Sequence, residues 1–278
     1  MPEPLRIGLI SDTHFNDRLF ALPDNLKSLW GQVDLILHAG DVGDLIVLDQ
    51  LGAIAPVIAV QGNDEPDSVR LALPLRQIVV VRGVRILLWH SHYTDTTEEH
   101  AHRLGTWEGV LRRITAQARA VGAGVALFGH THVPLIYRLD DVLLINPGAL
   151  TSATYFTRQA FATVARLDVH SQNDLMVTHF DIRTGTAVEL PSLDLGEETS
   201  QRVSACRGWM LEPDLLPIVK EVIHYHFNDL PAVEHALTPL YRQKQAAGQL
   251  FTRQDLVRVF TNAPALDSDD RAWLLSLL

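Results

Sequence analysis

Four short apolar runs punctuate the first half of the chain: residues 5–10 (LRIGLI), 33–37 (VDLIL), 57–60 (VIAV) and 125–128 (VALF). Each is rich in Val, Ile and Leu, and each ends in a polar cluster of Gly, Asp, His or Asn. Runs of that length, closed by turn residues, predict buried strands rather than helices. Between them, residues 44–54 and 107–121 carry helical spacing. In the second stretch Trp107, Val110, Leu111, Ile114, Ala118 and Val121 share one face. Strand and helix alternate, which predicts an α/β layered fold. Residues 77–89 read as a hairpin turning at Gly83, and 135–182 as a series of strands with turns at Asp140-Asp141 and Gln172-Asn173-Asp174.

The pattern changes near Pro191. Beyond it Leu215, Leu216, Val219, Val222, Ile223 and Phe227 form one stripe opened by Pro213. Val233, Ala236, Leu237, Leu240 and Tyr241 form another opened by Pro231, and proline suits the first helical position. Thr252 to Asp255 resembles a capping box. The expected organisation is therefore a domain over 1–190 and a helical extension over 191–278, which packs on the body or forms a homodimer.

Composition narrows the class. The 278 residues are 47% hydrophobic and 20% charged, which is ordinary for a globular protein. Lys and Arg number 23 against 33 Asp and Glu, a formal charge of −10. That balance disfavours long nucleic acids and anionic membranes as partners. Cys206 is the single cysteine, so no internal disulfide forms, and a reducing compartment is expected. With neither an apolar leader nor an apolar run long enough for a bilayer, the expected location is the cytoplasm.

The polar clusters carry the chemistry. They are Asp12-Thr13-His14, Gly40-Asp41-Val42-Gly43-Asp44, Gly62-Asn63-Asp64-Glu65, His90-Ser91-His92 and Gly129-His130-Thr131-His132. One such cluster alone is what any α/β protein uses for turns and helix caps. Five at strand ends can converge, because ligand sites in open α/β sheets lie beyond the carboxyl ends of strands. Carboxylate, amide oxygen and imidazole form a mixed O/N donor set suited to borderline divalent metals. His92 follows His90 by two residues, so on a strand both would face the same side. His38, inside an apolar run, reads as a core histidine, His100 and His102 as part of a solvated connection, and His224 and His226 as ordinary helix residues.

Taken together, the clusters resemble the calcineurin-like metallophosphoesterase family, whose pattern is D-x-H, G-D-x-x-D, G-N-[HC]-[DE], an isolated His, and G-H-x-H. The resemblance covers roughly residues 5–185, and its spacing is similar to the small bacterial and archaeal phosphodiesterase branch. Asn146-Pro147-Gly148-Ala149 is similar to an N-P-G-S segment of that branch. The resemblance implies a two-sheet β-sandwich flanked by helices, with the helical extension added at the C-terminus. It further implies two divalent transition-metal ions, Mn first, with Fe, Zn or Ni also suited. Asp12, His14 and His132 would hold one ion, Asn63, His90 and His130 the other, and Asp41 would bridge them. Two cations so placed activate a bridging water for in-line attack on phosphorus.

The implied catalytic residues are Asp41, Asn63, Asp64 and His90, with Asn63 also at the substrate; His92 either contacts the substrate or packs behind the ligands. The implied partner is a small phosphate ester or nucleotide, with phosphodiesters favoured over monoesters. The branch also includes an enzyme-derived retromer scaffold subunit, so the alternative is a protein-interaction scaffold with little catalysis. One position departs from the family. Asp64 stands where many relatives have His or Cys. Either crowding against Asp44 and Glu65 keeps it protonated, or the substrate carries less charge or a better leaving group. The second alternative is favoured.

Overall fold

A computed structural model describes residues 3–95, 97–98, 105–152, 154–190, 192–218, 230–264 and 266–278. His100, His102, His224, His226 and the stripe from Val219 to Phe227 lie outside the described residues. The chain divides into two compact units. One comprises 1–151 and 159–206, and the other 152–158 and 207–278. The boundary expected at 190/191 thus falls inside the first unit. Its reason is local: Trp107 and Glu108 donate their N–H groups to the carbonyls of Glu197 and Leu195, and Thr199 donates to Gly105. Leu193, Leu195 and Val203 also join the apolar cluster around Trp107.

The first unit is built on two mixed sheets. One has the order β12-β11-β10-β1-β2-β3, from strands β1 (Leu5–Ile10), β2 (Leu35–His38), β3 (Val57–Ala59), β10 (Thr163–Ser171), β11 (Asp174–Asp181) and β12 (Thr186–Val188). Strands β1, β2 and β3 are parallel, and the other three add as an antiparallel meander. The other sheet has the order β4-β5-β6-β8-β7, from β4 (Arg76–Val81), β5 (Val84–Trp89), β6 (Val125–Phe128), β7 (Leu135–Leu139) and β8 (Val142–Asn146). Here β5, β6 and β8 are parallel, and β4 and β7 flank them antiparallel. Separately, β9 (Thr157–Gln159) and β13 (Arg207–Trp209) pair as a two-stranded ribbon.

Side-chain alternation explains the layers. Ile7, Leu9, Ile86, Leu88, Val125, Leu127, Leu143 and Ile145 meet in one core between the sheets. Their neighbours Leu87, Ala126, Phe128, Val142 and Leu144 face outward. Those residues pack under Trp107, Val110, Leu111, Ile114 and Ala118, the stripe predicted for 107–121. On the far side of the first sheet Ile10, Ile36 and Val164 pack against Trp30, Val47, Leu51 and Val69. Those four come from helices α1 (Leu26–Trp30), α2 (Ile46–Gly52) and α3 (Asp67–Ala72), and α4 (Trp107–Ala120) covers the second sheet. The central strands are apolar on both faces because both faces are covered. Helix α5 (Thr199–Ala205) closes the unit's sequence.

The second unit contains a single 3₁₀ turn at Pro213–Leu215 and helices α6 (Leu230–Ala247), α7 (Arg253–Asn262) and α8 (Ser268–Leu277) among its described residues. Tyr155 and Tyr241 meet edge to face with ring centroids 5.1 Å apart. The capping box predicted at Thr252 is present with both reciprocal bonds, and Lys244 Nζ pairs with the capping Asp255 at 2.6 Å. No described helix is long and apolar enough to cross a membrane.

Candidate metal centre

Parallel strands bring their carboxyl ends to one edge of the sandwich. β1, β2, β3, β5 and β6 each end there, so the five polar clusters lie on that edge. The loops are held in an uncommon backbone conformation. Nine non-glycine residues among those described have positive φ, and six of them are Asp12, His14, Asp41, Ser91, His130 and His132. Each such residue costs about 1–3 kcal/mol and persists only where its surroundings fix it.

Those surroundings are tight. A Cβ on Gly62 would collide with the Asp41 carboxylate, and one on Gly40 would lie 2.6 Å from the His90 ring. The Glu65 carboxylate accepts N–H groups from Val42 (2.7 Å), Gly43 (2.9 Å) and Gly62 (3.1 Å), joining the second and third loops. Burial pushes its carboxyl upward, against those donated bonds. Asn146 Nδ2 donates to the Gly129 carbonyl and to Thr131 Oγ1, fixing the last loop. His179 Nε2 in turn donates to the Asn146 carbonyl at 2.7 Å.

Within this frame Asp12, His14, Asp41 and His132 each offer a ligand atom, all within 4.8 Å of one another and all buried. His132 Nε2 lies 3.2 Å from Asp12 Oδ1, and His14 Nε2 lies 3.5 Å from Asp41 Oδ2. His90 Nε2 lies 3.2 Å from Asp41 Oδ2 and 4.0 Å from Asp12 Oδ1. The His130 ring stands 5.2 Å from His90, and the His92 ring 5.5 Å from His90, centroid to centroid. The His130 N–H donates to the Asp12 carboxylate. Asn63 is exposed on the loop after β3, and its main-chain carbonyl accepts from Arg70.

The electrostatics call for a positive charge. Burial opposes ionisation of Asp12, yet pairing with His132 and His90 lowers it to about 2. Burial likewise opposes ionisation of Asp41, but His90 and His14 hold it well below the carboxylate range. Burial would lower His90, and the Asp41 carboxylate outweighs it, raising the ring to about 10. His90 Nδ1 donates to the Ala39 carbonyl at 2.8 Å, so Nε2 is the atom turned to the carboxylates. His14 Nε2 is buried and makes no hydrogen bond, and His90 Nε2 is buried and aimed at the Asp41 carboxylate. Imidazole nitrogens facing ionised carboxylates need a proton or a cation between them. This donor set fits a divalent transition metal.

Two expectations change in detail, and a third, the core position of His38, holds. Asp64 is set against Arg18, not against Asp44: Arg18 Nη2 donates to Asp64 Oδ2 at 2.6 Å, while Asp44 accepts from Asn16. Opposite charge was available four residues after His14, and it relieves the crowding that a protonated Asp64 presumed. Strand β5 ends at Trp89, so His90 and His92 approach across a loop in which Ser91 has φ 76°, not as alternate strand residues. His38 is fully buried and shares Thr13 Oγ1 at 3.0 Å, with burial lowering it to about 4. Sequence reasoning passed over Arg18 and the loop-joining role of Glu65. The i+4 spacing of Arg18 from His14 was the available signal for the first, and the terminal acid of the third motif for the second.

A family model described as the calcineurin-like phosphoesterase superfamily domain matches residues 5–172, more than half of the chain. The chain belongs to that superfamily. A probable metallophosphoesterase of Methanocaldococcus jannaschii is 37% identical over 145 residues, covering 52% of this chain and 68% of its own. A protein of the same organism named as a phosphodiesterase is 26% identical over 160 residues, covering 52% of this chain and 83% of its own. Among solved structures, vacuolar protein sorting 29 from Cryptosporidium parvum aligns with 67% of this chain and 96% of its own at 21% identity, with a TM-score of 0.51. That likeness shows the fold of this phosphoesterase: two mixed sheets flanked by helices.

Proposed function

We propose that the protein is a dinuclear metal-dependent phosphohydrolase with a preference for phosphodiesters or anhydrides over monoesters. The observation that carries this reading is the buried, ionised pair Asp12 and Asp41, with the Nε2 atoms of His14, His90 and His132 turned onto them at 3.2–3.5 Å. Asp12, His14 and His132 would hold one ion, His90, His130 and Asn63 the other, with Asp41 shared. When bound, such a pair supplies an activated water and neutralises charge on the phosphoryl oxygens.

The protein's own residues prepare this. His90 and His132 each donate Nδ1–H to a carbonyl, of Ala39 and Thr151, which leaves Nε2 for the ion. His14 differs. Arg18 Nη1 lies 3.0 Å from its Nδ1, and a guanidinium only donates, so the ring proton sits on Nε2. For Nε2 to serve as a ligand atom that proton would have to leave it, and Nδ1 faces both the Arg18 guanidinium and, at 3.4 Å, Asp64 Oδ2. Asp64 braces that ring together with Arg18, and its Oδ2 is taken up as the acceptor of the guanidinium. A substrate with a good leaving group and one fewer charge suits that arrangement, and His92 would contact it.

The test is hydrolysis by the Mn-loaded protein of bis-p-nitrophenyl phosphate against p-nitrophenyl phosphate, with bound metal counted by elemental analysis. Diester cleavage exceeding monoester cleavage, at two ions per chain, is the expected result. The absence of both metal and hydrolysis would leave the scaffold alternative standing.

A further inference from the structure

The loop that carries His90 and His92 is gripped from outside the site by one side chain of α4. The Arg113 guanidinium carbon stands 3.5 Å from the Tyr93 ring centroid and 4.6 Å from that of Trp89. Its Nη1 donates to the Ser91 carbonyl at 2.7 Å and its Nη2 to the His92 carbonyl at 3.0 Å. We propose that Arg113 is a positioning residue that fixes His90 and His92 for the metal and substrate. The inference rests on the dinuclear reading given above.

The geometry supports it in three ways. A planar guanidinium can span two successive carbonyls while stacking on aromatic faces, and an ammonium cannot. The two bonded carbonyls follow directly on the point where Ser91 takes φ 76°, a conformation that a serine holds only under outside constraint. Arg113 is also not needed to seat its own helix, because Trp107, Val110, Leu111, Ile114 and Ala118 already do that. Other cations of α4 act elsewhere: Arg112 pairs with Glu108, and Arg119 with Asp141. Trp89, Arg113 and Tyr93 therefore brace the turn that holds the His90 ring 5.2 Å from His130 and 5.5 Å from His92.

Calorimetric titration of the full chain with Mn²⁺ tests the inference. The proteins are the wild type, Arg113→Lys, Tyr93→Leu, His90→Ala as a ligand control and Arg119→Ala as a helix control. Arg113→Lys keeps the charge and loses the fork. It is expected to weaken one of two Mn²⁺ affinities about 10–100-fold, the usual cost of losing a partner behind a ligand. The second affinity and the unfolding midpoint of the metal-free protein should stay at wild-type values, a split that a general loss of structure would not give. Tyr93→Leu leaves the guanidinium and removes one ring. It should shift the same affinity by less, and it decides the matter alone if Arg113→Lys does not fold. Arg119→Ala should bind as the wild type. If His90→Ala loses affinity while Arg113→Lys stays within about twofold of wild type, the role of Arg113 is overturned and the metal site stands. If the wild type binds no Mn²⁺, or His90→Ala binds like it, the metal reading falls and this inference falls with it.

Discussion

The two ends of the sandwich use left-handed backbone for opposite purposes. At the carboxyl edge Asp12, His14, Asp41, Ser91, His130 and His132 take positive φ. Their loops place charged and aromatic groups against one another in a buried cluster. At the other end Arg82 and Asp140 take positive φ in the hairpin turns of β4-β5 and β7-β8. There the strain only reverses the chain. Asp140 is half-exposed and pairs with Arg119, and Gln172 from the β10-β11 turn caps the Gly83 carbonyl. Strain at one end is paired with buried ionised carboxylates and neighbouring loops, and at the other with exposed side chains, where Arg82 also reaches the Val169 and Glu3 carbonyls. The same conformation should therefore respond very differently to substitution at the two ends.

The largest effect belongs to Asp41, the carboxylate that faces both His14 and His90. Asp41→Asn removes the charge facing His14 and His90 while keeping the side-chain volume. Activity with bis-p-nitrophenyl phosphate should fall by more than the roughly 10–100-fold that loss of a supporting partner costs. Because the Asp41 carboxylate is what raises His90 to about 10, the variant should also lower that ring's titration point, read by NMR. An unmoved His90 resonance would mean that the two groups are not coupled.

Next in size is a dependence on pH that the supporting residues impose. Burial lowers His179 to about 4 from 6.5, while its Nε2 donates to Asn146 behind the last site loop. The unfolded chain takes up this proton near pH 6.5, and the folded protein refuses it until about pH 4. Stability is therefore full above pH 6.5 and falls as the pH drops towards 4. For this one group the loss is on the order of 3 kcal/mol. His179→Gln can keep the bond to Asn146 without titrating. Urea unfolding should show a shallower loss between pH 6.5 and 4 than in the wild type, with His38 accounting for part of the remaining slope. Equal slopes would count against the buried-histidine account.

Gly62→Ala probes the close approach at the carboxyl edge. The added methyl meets Asp41, so the second and third loops must separate. The expected cost is about 1–3 kcal/mol of stability, as for other insertions into a packed interior. Mn²⁺ affinity should fall as well, since Asp41 moves. A variant as stable as the wild type would show that the loops are looser than their hydrogen bonds to Glu65 imply.

These contrasts also explain what could be read from the sequence. The central strands were legible because apolar runs of four to six residues closed by turn residues admit few other structures. The five clusters were legible because each is contiguous and ends a strand. The residues that hold the clusters in place were not. Arg18 meets Asp64 across 46 positions, and Arg113 meets Ser91 across 22. An arginine on an amphipathic helix, next to another arginine, carries no local sign of which carbonyl it will bind. The segment 192–206 was assigned to the extension for a related reason. Leu193, Leu195 and Val203 are too sparse to form a periodic pattern, and hydrogen bonds to Trp107 and Glu108 decide where they pack. Period and composition report what a segment buries, and they are silent on the long-range partner of a polar side chain.

The smallest effect is expected at the opposite end, and it completes the comparison. Asp140→Gly removes the cost of a left-handed aspartate, which favours the folded state. It also frees the unfolded chain and removes an exposed ion pair with Arg119, which favours the unfolded state. The first term is about 1 kcal/mol at a turn that glycine accepts, and the chain-entropy term opposes it by a similar amount. Arg119 keeps its second partner, Asp141, and an exposed pair adds little in any case. The net change should lie within about 1 kcal/mol, with Mn²⁺ affinity and hydrolysis unchanged. Loss of metal binding in this variant would mean that strain is transmitted from one end of the sandwich to the other, and the separation drawn between the two ends would fail.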